Sequence, residues 1–250
     1  MNIIFFGSAR FAVPSLKALI SGGHKIAAVV TQPDRKKGRG LHLEGTVVKQ
    51  LALKARLKIF QPQNINSSES LRFLKAQGAD LFIVIAYGQI LSSEILGLPR
   101  VLAVNAHASL LPQYRGAAPI NWAIINGEKA TGVTIMKMVR KMDAGPMILQ
   151  QAVDIQAEDT AVTLEEKLSV AAAALLVKAL GKIKTQTCHF LAQEESQVSF
   201  APKLKKADGL INWQDPAWHL RNLVRGCLEW PGASTHYRGK LLKVFQAKIV

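Results

Sequence analysis

The sequence predicts a doubly wound α/β domain with a mostly parallel sheet, followed by a linker and the start of a small β-barrel. Three observations predict it. Continuous apolar runs at Asn2 to Phe6, Ile26 to Val30 and Leu81 to Ala86 have strand length and no wet face, so they belong in a sheet covered on both sides. Helical stretches separate the strands throughout residues 1–180, which is the pattern of parallel crossover units. From Leu204 the character changes to short strands with turn residues, as in small barrels.

The first strand ends at Gly7-Ser8, where Gly7 allows a tight turn and Ser8 is placed to cap a helix over Phe11 to Ser21. A nucleotide-binding first turn would need G-x-G-x-x-G, which is absent, so Gly7-Ser8 is read as a site wall rather than a pyrophosphate cradle. Gly22-Gly23 closes the helix, and Ile26 to Val30 is the second strand. Thr31 to Gly40 is a polar, basic, glycine-punctuated surface loop, expected to order on contact with phosphates. A helix over Val47 to Leu57, a short strand at Lys58 to Phe60 and a helix over Ser67 to Gln77 lead to the strand Leu81 to Ala86. Tyr87, Ile90 and Leu91 leave its C-terminal end, and Tyr87 and Ile90 either line an apolar slot for a flat ring or pack into the core. The strand Val101 to Val104, a helix over Pro119 to Asn126, strands at Gly132 to Met138 and Met147 to Asp154, and an alanine-rich covering helix over Val162 to Leu180 complete this region. The expected organisation is a catalytic domain at 1–181, a linker at 182–203 with no sustained period, and a barrel domain at 204–250. The last strand, Leu241 to Ile249, is still running at Val250, so an incomplete barrel is expected.

Composition narrows the function. The 250 residues are 49% hydrophobic and 20% charged, an ordinary globular balance, and no apolar run reaches membrane-span length. Met1 leads straight into a strand without a signal peptide, and Cys188 and Cys227 have no metal-ligand spacing, which fits buried thiols in a reducing cytoplasm. The net charge of +15 is clustered at 35–58 and from 203 onward, which favours nucleic acid over simple solubilisation.

Chemistry concentrates between Val104 and Gly116. Residues two apart on a strand point the same way, so Asn105 and His107 face one side at a C-terminal strand end, where open α/β sheets place their sites. Ser109 to Pro112 turns sharply, and Arg115-Gly116 opens onto the next helix. An amide and an imidazole aimed at one point can polarise a carbonyl and stabilise the oxyanion formed on attack. Asp143 supplies a third group, giving an acyl-transfer site without a covalent nucleophile. Taken alone, Asn105 and His107 also fit ordinary turn formers with satisfied hydrogen bonds.

A resemblance sharpens this reading. Phe6-Gly7-Ser8, Thr31-Gln32-Pro33-Asp34-Arg35 through Gly38-Arg39-Gly40, Phe60-Gln61-Pro62 and Ala86-Tyr87-Gly88 match one family, as do Asn105, His107, Ser109-Leu110-Leu111-Pro112, Arg115-Gly116-Ala117-Ala118-Pro119, Asp143 and Ala201-Pro202-Lys203-Leu204. Along nearly its whole length the chain resembles the methionyl-tRNA formyltransferases. The resemblance implies a Rossmann-like formyltransferase fold with an OB-like C-terminal barrel, the donor 10-formyltetrahydrofolate, and initiator methionyl-tRNA as acceptor. It implies Asn105, His107 and Asp143 as the catalytic triad, Ser109, Leu110, Leu111 and Pro112 as folate contacts, and Tyr87, Ile90 and Leu91 as the pterin pocket. Arg39 matches a loop arginine engaging the tRNA acceptor end, with Arg35, Lys36 and Lys37 beside it. A metal is not expected, nor a membrane, and the chain is expected to act as a cytoplasmic monomer. Gly-Ser-Ala replaces the family's usual Gly-Thr-Pro at Gly7, and Asp-Ala-Gly replaces Asp-Thr-Gly at Asp143.

Three rivals remain. Formyltransferases acting on amino-sugar nucleotides share the triad and an Asn-Trp like Asn121-Trp122, but not the basic loop. Glycinamide ribonucleotide formyltransferase would need the missing glycine-rich first turn. A non-catalytic RNA-binding protein on the same fold would use the basic regions but has no need of the triad.

Overall fold

The structure, a computed structural model, describes residues 1–37 and 42–249, with the backbone alone at Lys37 and His42. The chain runs through β1 (Asn2–Gly7), α1 (Val13–Ser21), β2 (Lys25–Val30), β3 (Arg35–Lys37), β4 (His42–Glu44), α2 (Val47–Lys54), β5 (Ile59–Phe60), α3 (Ser68–Ala76), β6 (Leu81–Ile85), α4 (Ser93–Leu96) and β7 (Leu102–His107). It continues through β8 (Arg115–Gly116), α5 (Pro119–Ile125), β9 (Ala130–Lys137), β10 (Met147–Asp154), α6 (Ala161–Lys184), β11 (Phe200–Ala201), α7 (Ala217–Gly226), β12 (Ala233–Tyr237) and β13 (Lys240–Val244). These fall into two compact units: Met1–His107 with Thr134–Gln150 and Ser169–Gln193, and Ala108–Val133 with Gln151–Leu168 and Glu194–Val250.

The first unit holds most of the seven-stranded sheet, whose order is β10-β9-β7-β6-β1-β2-β5. Strands β7, β6, β1, β2 and β5 are parallel, and β9 runs antiparallel to β7. The expected doubly wound sheet is therefore present, with its sequence-reversal point between β1 and β6. Every residue of β6 is buried, as its uniform apolar run required. Its core gathers Ile4, Phe6, Val30, Phe82, Val84 and Leu74, with Phe6 and Phe82 tilted at a centroid distance of 5.1 Å. Side-chain oxygens cap the crossover helices: Thr46 accepts from Lys49 N–H, Ser67 from Ser70 N–H and Ser92 from Ile95 N–H, each satisfying an amide that the helix leaves unpaired.

Two local expectations change. Ser8 does not cap the first helix; the N-cap of α1 is Ala12, without a side-chain bond, and Pro14 in the first turn takes over part of the initiation. The basic stretch after β2 is not simply loop. β3 and β4 form an antiparallel hairpin with Arg35 opposite Glu44 and Lys36 opposite Leu43, and residues 38–41, Arg39 among them, lie outside the described residues.

In the second unit, β8 pairs in parallel with β11, Arg115 opposite Phe200 and Gly116 opposite Ala201. Arg115-Gly116 is thus a strand rather than a simple lead into α5, and the stretch expected to be featureless linker supplies its partner. Gly116 has φ +128 and a Cβ there would sit 2.5 Å from the Ala201 carbonyl oxygen, so only glycine allows this approach. A small core joins Ile125, Leu204, Ile211, Leu223, Val224, Cys227 and Ala233. Among the described residues the expected barrel is represented by the β12–β13 hairpin and an isolated bridge between Leu210 and Ser234. These strands do not close on themselves, since closure needs a continuous ring of paired strands.

Candidate functional site

Asn105 and His107 lie within β7, which runs three residues beyond the Val104 end expected from sequence. Asn105 sits between Val84 of β6 and Met136 of β9, and His107 opposite Thr134. The ladder on both sides fixes their backbone, and the two-residue spacing puts both side chains on one face. Asn105 is half-buried and His107 is 6% exposed. Nδ1 of His107 is 3.6 Å from Oδ2 of Asp143, an ion-pair contact slightly beyond hydrogen-bond length. A carboxylate against one ring nitrogen favours the tautomer and orientation in which the other faces away, and it stabilises an imidazolium once a proton is taken.

Asp143 reaches this point on a turn between β9 and β10. Its φ is +49, in the left-handed region, which costs a non-glycine residue free energy. The turn is pinned by Lys137 N–H donating to Pro146 O at 2.9 Å. Gly145 packs so tightly on Lys137 that a Cβ would fall 1.8 Å from its carbonyl oxygen. The side-chain amide of Gln193 donates to Asp143 O at 2.8 Å and to Gly145 O at 2.7 Å. Gln193 lies in the stretch that sequence reasoning treated as linker, where a lone glutamine carries no periodic or motif signal.

A second polar network surrounds the turn after β1. Ser8 Oγ donates to Tyr87 O at 2.9 Å and accepts from Gln32 N–H at 3.1 Å, while the Gln32 amide nitrogen donates to Tyr87 O at 3.3 Å. Gly7 is required here by packing, because a Cβ would lie 2.8 Å from the Phe5 ring and 2.9 Å from Ala12 Cβ. Arg35 Nη2 donates to Gln32 Oε1 at 3.2 Å, tying the base of the β3–β4 hairpin to the same group. Asp34 accepts from Gln61 at 2.7 Å and pairs with Lys49; these two hydrogen bonds hold its carboxyl below the usual range.

Tyr87, Ile90 and Leu91 do not share a surface. Tyr87 is 2% exposed, its ring edge-on to Phe6 at 5.6 Å, and burial drives its phenol well above the ordinary value. Leu91 is 4% exposed, whereas Ile90 is 67% exposed. Of the two readings left open for Tyr87, its burial favours core packing, while Ile90 stays exposed; Ala86, directly after β6, is exposed, and the chain turns Tyr87 back against Phe6. The backbone of the segment is bent by Ala86 at φ +46 and Gly88 at φ +92, and Ile90 projects beside the bend.

In the second unit, Ser109 is buried and its hydroxyl donates to Gln113 O at 2.6 Å, so the side chain closes its own turn. Leu111 and Pro112 are buried across a cis peptide bond, and Leu110 is half-buried. Arg115, 1% exposed, pairs with Glu195 at 3.1 Å. Asn121 Nδ2 donates to Gly226 O at 2.8 Å and Trp122 Nε1 to Pro202 O at 2.8 Å, which gives both side chains structural work. Arg35 and Lys36 are exposed on the hairpin, while the Lys37 side chain and all of Arg39 lie outside the described residues. Among the described residues no group of His, Cys, Asp and Glu is arranged to hold a metal ion, and no helix is long and apolar enough to cross a membrane.

Asn105, His107 and Asp143 together can receive a developing oxyanion and accept a proton from an attacking nucleophile. A formyl transferase family model matches residues 1–180, and a formyl transferase C-terminal domain model matches residues 203–250. Among solved structures, a sugar N-formyltransferase from Shewanella is similar with a TM-score of 0.76 at 18% identity, over 100% of this chain and 99% of that one. An N-formyltransferase from Helicobacter canadensis in complex with folinic acid and dTDP-3-aminofucose is similar at a TM-score of 0.72 and 18% identity, over 98% of this chain and 86% of that one. These likenesses are of fold. Identity is far higher to a methionyl-tRNA formyltransferase of Caldanaerobacter subterraneus subsp. tengcongensis, 46% over 251 residues, covering 100% of this chain and 81% of the relative. A methionyl-tRNA formyltransferase of Thermodesulfovibrio yellowstonii is 46% identical over 249 residues, covering 100% of this chain and 80% of the relative. The chain belongs to the methionyl-tRNA formyltransferase family.

Proposed function

We propose that this protein transfers the formyl group of 10-formyltetrahydrofolate to the α-amino group of methionine carried on initiator tRNA, in the cytoplasm. The observation that carries the reading is the match of the whole chain at 46% identity to a methionyl-tRNA formyltransferase. His107 beside Asp143, with Asn105 two residues earlier on the same strand, supports it. Residues 1–181 act as the catalytic domain and 204–250 contribute to tRNA binding.

The chemistry follows from residue types. The acceptor amine attacks only when unprotonated, and Asp143 draws its proton away through His107 or a water. Asn105 and His107 donate to the oxygen of the formyl group as it becomes an oxyanion, and collapse of that intermediate breaks the formyl carbon's bond to the folate nitrogen, which takes up a proton and leaves as tetrahydrofolate. Loss of one such donor costs about 10²–10³-fold in rate. The folate donor is held by the bent backbone of 86–91. Arg39 and the hairpin residues Arg35, Lys36 and Lys37 engage the acceptor end of the tRNA.

A sugar-nucleotide reading has only fold likeness behind it, and the Asn121-Trp122 pair is occupied by backbone carbonyls. The decisive experiment is a formyl-transfer assay with 10-formyltetrahydrofolate and either charged initiator tRNA or dTDP-amino sugars. Transfer to the tRNA alone is expected. Transfer to the sugars alone overturns the reading, and folate binding with no transfer to either favours a binding protein on the old fold.

A further inference from the structure

We propose that Gln193 is a positioning residue for Asp143, holding its turn at the separation from His107 that formyl transfer requires; this rests on the role of Asp143 given above. The turn has reasons to move. Asp143 occupies a left-handed conformation, at φ +49, that L side chains rarely adopt. Such backbone persists only where its surroundings over-determine it. One side is held from β9, through Lys137 N–H on Pro146 O and the close approach of Gly145. Gln193 holds the other side: one amide nitrogen donates to the carbonyls of both Asp143 and Gly145, at 2.8 and 2.7 Å. Its backbone is itself anchored, because Leu191 exchanges both backbone hydrogen bonds with Met147, at 2.8 and 2.9 Å. Through these two bonds Gln193 holds the backbone of the turn, and it acts through that turn.

The 3.6 Å between Asp143 Oδ2 and His107 Nδ1 leaves little tolerance. Misplacing a reacting group by about 1 Å can cost about 10²-fold in rate. Gln193→Glu keeps the shape but turns a carboxylate oxygen toward two carbonyl oxygens, and Gln193→Ala removes the donor. Both variants are expected to lower kcat at least ~10-fold while folate affinity and KM for tRNA stay within about twofold of wild type. A merely structural loss would instead reduce folate-binding capacity in step with the rate.

A double-mutant cycle completes the test. In an Asp143→Asn background, Gln193→Glu is expected to change the residual rate less than about twofold, since residues acting as one unit are non-additive. Wild-type kcat in both single variants, or the full loss recurring in the Asp143→Asn background, overturns the proposal. Hydrogen exchange at the Ala144, Gly145 and Met147 amides gives a readout that needs no turnover. Exchange at least ~10-fold faster in Gln193→Glu supports the proposal and unchanged protection overturns it. If the wild-type chain transfers no formyl group at all, the functional reading fails, and the exchange result still decides whether Gln193 holds the turn.

Discussion

At the scale of single residues, the proposed chemistry turns on a carboxylate set beside an imidazole. Asp143 and His107 are both largely buried and 3.6 Å apart. Asp143→Asn keeps the volume and removes the base, so folate binding should survive while turnover falls by about 10²–10⁴-fold. Folate titration and single-turnover transfer on the same preparation check this, and a fully active variant removes Asp143 from the mechanism. That Asn105 and His107 share one strand and one face was legible because strand alternation is a strong geometric rule. Sequence left Tyr87 and Ile90 open between a slot and the core because it cannot tell which side chain after a strand end turns inward. Gln193 was invisible for a different reason: its partners are two backbone carbonyls fifty and forty-eight residues away, and backbone partners leave no trace in side-chain pattern.

At the scale of elements, the start of α6 shows how a buried carboxylate organises a helix entrance. Asp159 is 5% exposed and accepts from Gln156 N–H at 2.8 Å, Lys167 Nζ at 2.7 Å and Thr163 Oγ1 at 2.9 Å. Arg225 of α7 donates to its backbone oxygen at 2.6 Å. Burial alone would raise the Asp159 carboxyl, but the hydrogen bonds from Lys167, Gln156 and Thr163 outweigh it and hold the carboxyl below its ordinary value. A group depressed in the folded chain contributes its stability in full above its unfolded value and loses it as pH falls through the folded one. Asp159→Asn should therefore cost about 1.5–3 kcal/mol at pH 7, the range for hydrogen bonds to a charged group. That difference should shrink as pH falls below the ordinary carboxylate range, and urea midpoints at pH 7 and at acid pH test it. A constant difference at both would assign the loss to packing. The longer helices were legible because their apolar stripes are local, whereas the caps were not: Ser8 gave way to Ala12, and the short α4 went unread. The β3–β4 hairpin and the β8–β11 pair were not, because strands of two or three residues have no period to read, and β8 finds its partner about 85 residues along the chain.

For the whole molecule, the parallel order of the sheet followed from alternating strands and helices, while the antiparallel β9 depended on a reversal that no local pattern announces. Charge is the property legible at this scale without any fold. The chain has 32 Lys and Arg against 17 Asp and Glu. Such an excess acts on a polyanion by releasing its counterions, and the signature is salt dependence rather than affinity alone. If four phosphates are neutralised, tRNA affinity should fall on the order of 10²-fold between 50 and 200 mM salt, while folate affinity changes little. Lys36, exposed on the hairpin, makes the argument specific. Lys36→Ala should lower the slope of log affinity against log salt by about 0.7–0.9 and weaken elongator and initiator tRNA alike. Arg39→Ala should do the same to the slope but raise KM more for initiator tRNA, since its expected partner is the acceptor end. A wild-type slope near zero would mean that the basic surface serves solubility and that tRNA is held by other contacts. A normal slope left unchanged by both substitutions would move the phosphate contacts from the hairpin to the basic residues beyond Lys203.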